Sequence, residues 1–129
     1  MSSAGLIGER WEKIVQWYQE IHPAHRQEAM KALITAVVEA GARNGVWPHT
    51  SHFTLFVSAD DMTHWLEPLT RVSLSVQYWH EVDKFQIRYY NIQGVAYDEK
   101  WCELAEAQAT LRHLFRQMRQ ADLDTQSLL

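Results

Sequence analysis

The sequence predicts an α+β protein. It has an N-terminal helical hairpin, a small antiparallel sheet with a clear hairpin over about residues 70–92, and a C-terminal helix packed on one face of that sheet. Three observations carry this expectation. Apolar residues recur with a helical period before residue 45 and again after residue 100. Between Arg71 and Tyr90 they alternate with a period of two. Helices and strands are segregated along the chain rather than interleaved, which favours an antiparallel sheet backed by helices.

Ile7, Trp11, Ile14, Val15, Tyr18 and Ile21 fall on one face of a 3.6-residue period, with charged Glu9, Arg10, Glu12, Lys13 and Glu20 around it. This first helix should stop near His22-Pro23, because the residue before proline is pushed out of the helical region. Pro23 can open a second helix, whose stripe is Met30, Leu33, Ile34, Val37 and Val38 and whose propensity comes from Ala29, Ala32, Ala36, Ala40 and Ala42. Gly41 or the Asn44-Gly45 pair ends it. The short link makes the two helices an antiparallel hairpin.

After a break at Trp47-Pro48, the run from His52 to Ser58 reads as a strand. Ser58 can then cap a short helix over Asp60–Leu66, closed by Pro68. In the hairpin, Val72, Leu74, Val76 and Tyr78 point one way, as do Phe85, Ile87 and Tyr89 opposite them. A four-residue loop, His80–Asp83, sets Trp79 against Lys84, Val76 against Ile87 and Tyr78 against Phe85. Val76, Tyr78, Phe85 and Ile87 should therefore be buried against helices, while Ser75, Gln77, Gln86 and Arg88 form a wet face. Asp98 or a neighbour starts the last helix, with Leu104, Ala107, Leu111, Leu114, Phe115 and Met118 inward and a polar tail expected to fray from Asp122. Residues 1–129 make one domain.

A formal charge of −4 argues against a nucleic-acid binder held by a general basic surface. A single cysteine, Cys102, excludes an internal disulfide framework, which fits a reducing compartment. The first residues, MSSAGLIGERW, lack the basic and apolar runs of a signal peptide, and no apolar stretch approaches the length of a membrane helix. A soluble cytoplasmic protein is expected.

The stretch WPHTSHFTLFVSADDMTHW concentrates His49, His52 and His64 with Asp60 and Asp61. These are ligand types for zinc or iron, but the spacing is not specific. His49 precedes the strand that His52 begins, so their imidazoles need not converge, and there is no H-E-x-x-H. Asp60 and Asp61 are better read as first-turn helix charge, and no metal or other cofactor is expected. Phosphate-cradling glycine motifs and a nucleophile elbow are absent, so no catalysis is expected. Cys102 could be activated by a helix N-terminus, but a packing residue is the simpler account. Arg112, Arg116 and Arg119 form a stripe that the helix dipole already favours at a C-terminus.

Trp79 and Tyr90 stand on the wet face of the hairpin, where a large aromatic is either covered or serves as an interface anchor. The stretch SLSVQYWHEVDKFQIRYYNIQG, followed by CELAEAQATLRHLFRQM, resembles the ending of small bacterial immunity proteins of polymorphic, contact-dependent and type VI secretion toxins. The shared features are two tyrosine-rich strands, a short polar loop and a terminal helix opening on Glu106-Ala107 with Leu111 after them. The resemblance covers about the last 60 residues. It implies an inhibitor that binds one cognate toxin through acidic and aromatic surface, and it transfers no individual site. On the residues themselves, the expected partner contacts are Trp79 and Tyr90 as anchors, Glu81 and Asp83 beside them, and Asp60 and Asp61 in the acidic surround. The alternatives are an acidic, dimeric secretion chaperone for an effector, or a small histidine-dependent metal protein or enzyme.

Overall fold

The computed structural model describes residues 3–59, 73–90 and 96–127. The helix expected over Asp60–Leu66, and with it Asp60, Asp61 and His64, lies outside the described residues. The fold is α+β. Helices α1 (Ser3–Glu20) and α2 (Glu28–Arg43) come first, then strands β1 (Trp47–Ser51), β2 (Thr54–Ser58), β3 (Ser73–Trp79), β4 (Lys84–Tyr90) and β5 (Ala96–Cys102), then helix α3 (Leu104–Ser127). The strands form one antiparallel sheet in sequential order.

The first helix ends at Glu20, just short of the proline. Pro23 opens only a single 3-10 turn, not α2. His22 caps that turn, its Nδ1 accepting the Ala24 N–H at 3.1 Å, and Arg26 leaves it in the left-handed region at φ 55°. That reversal delays α2 to Glu28. At its far end Asn44 and Gly45 stop α2, with Asn44 Nδ2 donating to the Ala40 carbonyl at 2.8 Å and Gly45 at φ 73°. Gly41 lies inside the helix, where it lets α1 approach: a Cβ there would stand 2.6 Å from Trp11 Cζ2. Trp11 is fully buried, and its indole N–H donates to the Val46 carbonyl at 2.9 Å.

The β3–β4 register matches the alternation residue for residue, from Ser73 opposite Tyr90 to Trp79 opposite Lys84. Leu55, Val57, Leu74, Val76, Phe85, Ile87 and Cys102 join Trp11, Met30, Leu33, Val37, Leu111, Phe115 and Met118 in one core between sheet and helices. Fully burying an aliphatic side chain of this kind is worth about 1.5–3 kcal/mol each, which is why the period-2 stripe holds the register.

Three expectations need correction. The Trp47-Pro48 break is inside a strand: Pro48 is tolerated because β1 is at the sheet edge, where a missing N–H costs no ladder bond. A two-residue turn at His52-Phe53, with His52 at φ 56°, folds β1 back on β2. Residues 96–102 are likewise a strand, so α3 starts at Leu104, with Glu103 accepting its first helical bond from the Ala107 N–H at 2.8 Å. Finally, α3 continues to Ser127 instead of fraying at Asp122, since no glycine or proline interrupts its last turns.

The strands that flank the hairpin, β2 and β5, change its outer face. Ser75 and Gln86 point away from the helices as expected, yet they are only 7% and 6% exposed. Phe56 on β2 stands beside Ser75 and Trp101 on β5 stands beside Gln86, so interior strands gain bulky neighbours on both flanks. Gln77 is half-buried and Arg88 exposed.

Candidate protein-binding face

The rim of this outer face carries the candidate site, built by the β3–β4 turn and by β5. Trp79 ends β3, and the Val82 N–H donates back to the Trp79 carbonyl at 3.3 Å, closing the loop. Asp83 completes the turn in the left-handed region at φ 52°. Strand pairing sets Lys84 opposite Trp79 and Trp101 opposite Gln86. The two indoles thereby meet, with ring centroids 6.2 Å apart and planes inclined by 43°. Trp79, Glu81, Val82, Lys84 and Trp101 line an open cleft of about 560 Å³. Trp79 is 37% exposed, Trp101 43% and Val82 56%, so three apolar side chains meet water together.

A polar ladder behind the rings fixes them. Trp79 Nε1 donates to Gln86 Oε1 at 2.9 Å, and Gln86 Nε2 donates onward to Glu99. Arg88 Nε also donates to Glu99, at 2.9 Å. Hydrogen bonds from Arg88 first and then Gln86 hold the Glu99 carboxyl below the usual carboxylate range. The ladder satisfies the Trp79 indole N–H, and both indoles stay partly exposed.

The expected partner residues are divided by this geometry. Trp79 and Glu81 share the cleft. Asp83 does not join them: its carboxylate accepts the Tyr78 hydroxyl at 2.5 Å, on the helix side of the sheet. It borders an adjoining cleft with Ala29, Phe85 and Leu104, which shares Lys84 and Trp101 with the first. Tyr90 is described in its backbone alone, where it pairs with Ser73 and Ala96. Asp60 and Asp61 lie outside the described residues. Trp101 and Val82 are the additions. Trp101 was hidden because its strand reads as the start of a helix, and Val82 because it is a lone apolar residue in a polar loop.

The hydrogen bond to Asp83 and some burial push the Tyr78 phenol from its ordinary 10.0 up to about 12. Its neutral form is thus favoured in the folded chain. That contribution to stability is complete below pH 10 and is lost as pH rises towards about 12. Asp83→Asn should bring the phenol down towards its ordinary value, read as an earlier step in the tyrosinate absorbance titration. An unchanged titration would mean that the Asp83 contact does not hold in solution.

Among the described residues, three histidines have structural places. His22 caps the turn before α2, His25 lies 4.9 Å from the Phe53 ring, and His52 forms the β1–β2 turn. His49 is on β1, opposite Phe56, with burial and then Arg10 lowering its pKa. Among the described residues no three histidine, cysteine or carboxylate side chains form a metal-holding group. Cys102 closes β5 instead of opening α3; it is buried in the core, and that burial pushes its thiol up, opposite to what a nucleophile needs. Arg112 reaches back to the Ala36 carbonyl of α2 at 3.4 Å. No helix among the described residues is long and apolar enough to cross a membrane.

No family model matches the chain, and no match was found among curated proteins or among solved structures.

Proposed function

We propose that this chain is a protein-binding inhibitor, an immunity protein that neutralises a cognate bacterial toxin in the cytoplasm by covering its active site, and that it catalyses no reaction itself. The observation that carries the proposal is the exposed, pre-positioned Trp79–Val82–Trp101 surface with Glu81 on its rim. Exposed aromatics of fixed geometry are what interface hot spots are made of, because little side-chain entropy is lost when a partner docks. Acidic Glu81, Asp98 and Glu99 are exposed on and beside this rim, and a net charge of −4 steers the molecule towards a basic partner. Toxins that act on nucleic acids or nucleotides have basic clefts, which such a surface complements. The resemblance of the C-terminal half to immunity proteins points the same way.

The test is co-expression with a candidate toxin domain, sought first in the gene next to the one encoding this chain. Cells carrying both should grow at the rate of cells carrying neither, and the two proteins should co-purify. Killing that persists at equal expression overturns the proposal. Recovery of the chain with a non-toxic, unfolded effector segment would put the secretion chaperone in its place.

A further inference from the structure

We infer that the Trp79–Trp101 cleft and the cleft beside Leu104 work as one groove that receives a basic amphipathic helix of the partner. This rests on the inhibitor reading and names the element the partner presents. The two clefts share Lys84 and Trp101, and the second continues past Phe85 and Cys102 to Leu104. Among the described residues, the exposed large apolar side chains are Leu6 and Trp17 on α1 and Trp79, Val82, Trp101 and Leu104, which all line this groove. Apolar surface gathered in this way at one end of the sheet marks a contact surface rather than scattered exposure.

The course of the groove selects a helix. Trp79 closes β3, Lys84 opens β4 and Cys102 closes β5, and strand pairing sets these three ends side by side. The groove therefore crosses strand ends, where an extended segment finds no backbone ladder to join, whereas a helix satisfies its own backbone. From β3 to β5 is two strand spacings, about 10 Å, which matches the rise from i to i+7 along a helix. Charge selects a basic one. Exposed Glu81, Asp83, Glu103 and Glu106 stand along the groove against the single cation Lys84. Asp83 accepts the Tyr78 hydroxyl and Glu106 lies 3.9 Å from Lys100, yet both carboxylates stay exposed. The apolar side chains take the apolar stripe of the helix, and the carboxylates meet lysines or arginines beside that stripe and repel an acidic helix.

The probe is a blocked alanine-based helical peptide of about 15 residues with leucines at i, i+4 and i+7 and lysines beside them. Two companions isolate its features: one carries glutamate for each lysine, the other serine for each leucine. Binding is followed through the indole N–H signals of Trp79 and Trp101 in an NMR titration. The lysine–leucine peptide should shift both signals and bind at least about tenfold more tightly than either companion. Leu104→Ser, with an unchanged melting temperature as the folding control, should weaken it. The double variant Glu81→Lys, Glu103→Lys should favour the glutamate peptide instead. Glu9→Lys with Glu12→Lys makes the same change in net charge on exposed positions of α1 and should leave the order of the peptides unchanged. Absent indole shifts, equal binding of the lysine and glutamate peptides, a serine peptide as tight as the leucine one, or an α1 variant as disruptive as the groove variant would each overturn the inference. A chain that protects against its toxin yet ignores these peptides would lose the helix and keep the inhibitor reading.

Discussion

Trp11→Ala is expected to lower the unfolding free energy by about 3–5 kcal/mol, the range for emptying a large aromatic from a core. For a chain of this length that is a fall in melting temperature of about 10–25 °C. Trp11 has no exposed surface, packs against Phe115 at a centroid distance of 5.8 Å, and ties α1 to the start of the sheet through the Val46 carbonyl. Its removal leaves a cavity and an unpaired buried carbonyl together. A companion substitution identifies the cause. Gly41→Ala should gain about 1 kcal/mol from helix propensity, yet its Cβ would lie 2.6 and 2.7 Å from two carbons of the Trp11 indole. Over-packing of that kind costs about 1–3 kcal/mol, and the ring cannot swing away from its hydrogen bond cheaply. The net effect should be destabilising in the parent chain and should reverse to stabilising in the Trp11→Ala background, measured by denaturant unfolding. A Gly41→Ala variant more stable than the parent would show that α1 and α2 do not meet as closely as described.

Under the proposed function, Trp79→Ala is expected to weaken binding of the toxin by at least about 2 kcal/mol, some thirtyfold in Kd. The reasons are its place in the exposed cleft and its contact with the Trp101 ring, whose orientation it helps to hold. The same substitution should cost the fold no more than about 1–2 kcal/mol, from the Gln86 oxygen it leaves without its donor. Calorimetric titration against the toxin, paired with a thermal melt, separates the two effects. An affinity unchanged by Trp79→Ala would remove the cleft from the interface. A melt that collapses would show that Trp79 belongs to the core.

Much of the architecture was decided by sequence alone. The helix stripes on α1, α2 and α3 and the alternation of Val76, Tyr78, Phe85 and Ile87 are repeated local signals. A one-residue slip would turn a whole apolar set to water, so the pattern admits a single register. The exposure of Trp79 was legible for the same reason, since it falls on the polar phase of β3. Only the tertiary structure decided the rest. Strands β1 and β5 are edge strands, rich in proline, histidine and charge, and an edge strand needs no apolar alternation because one side of its backbone is already in solvent. Their existence depends on partners distant in sequence, with β5 held by β4 and β1 sealed by α1 through the Tyr18 hydroxyl on the Phe53 carbonyl at 3.0 Å. Strand β5 sets what the sequence left undetermined on the outer face: that Gln86 is covered and that Trp101 arrives beside Trp79. The pair lies 22 positions apart along the chain, the separation from 79 to 101, and no local periodicity relates them. Their meeting follows from strand register, a property of the whole sheet.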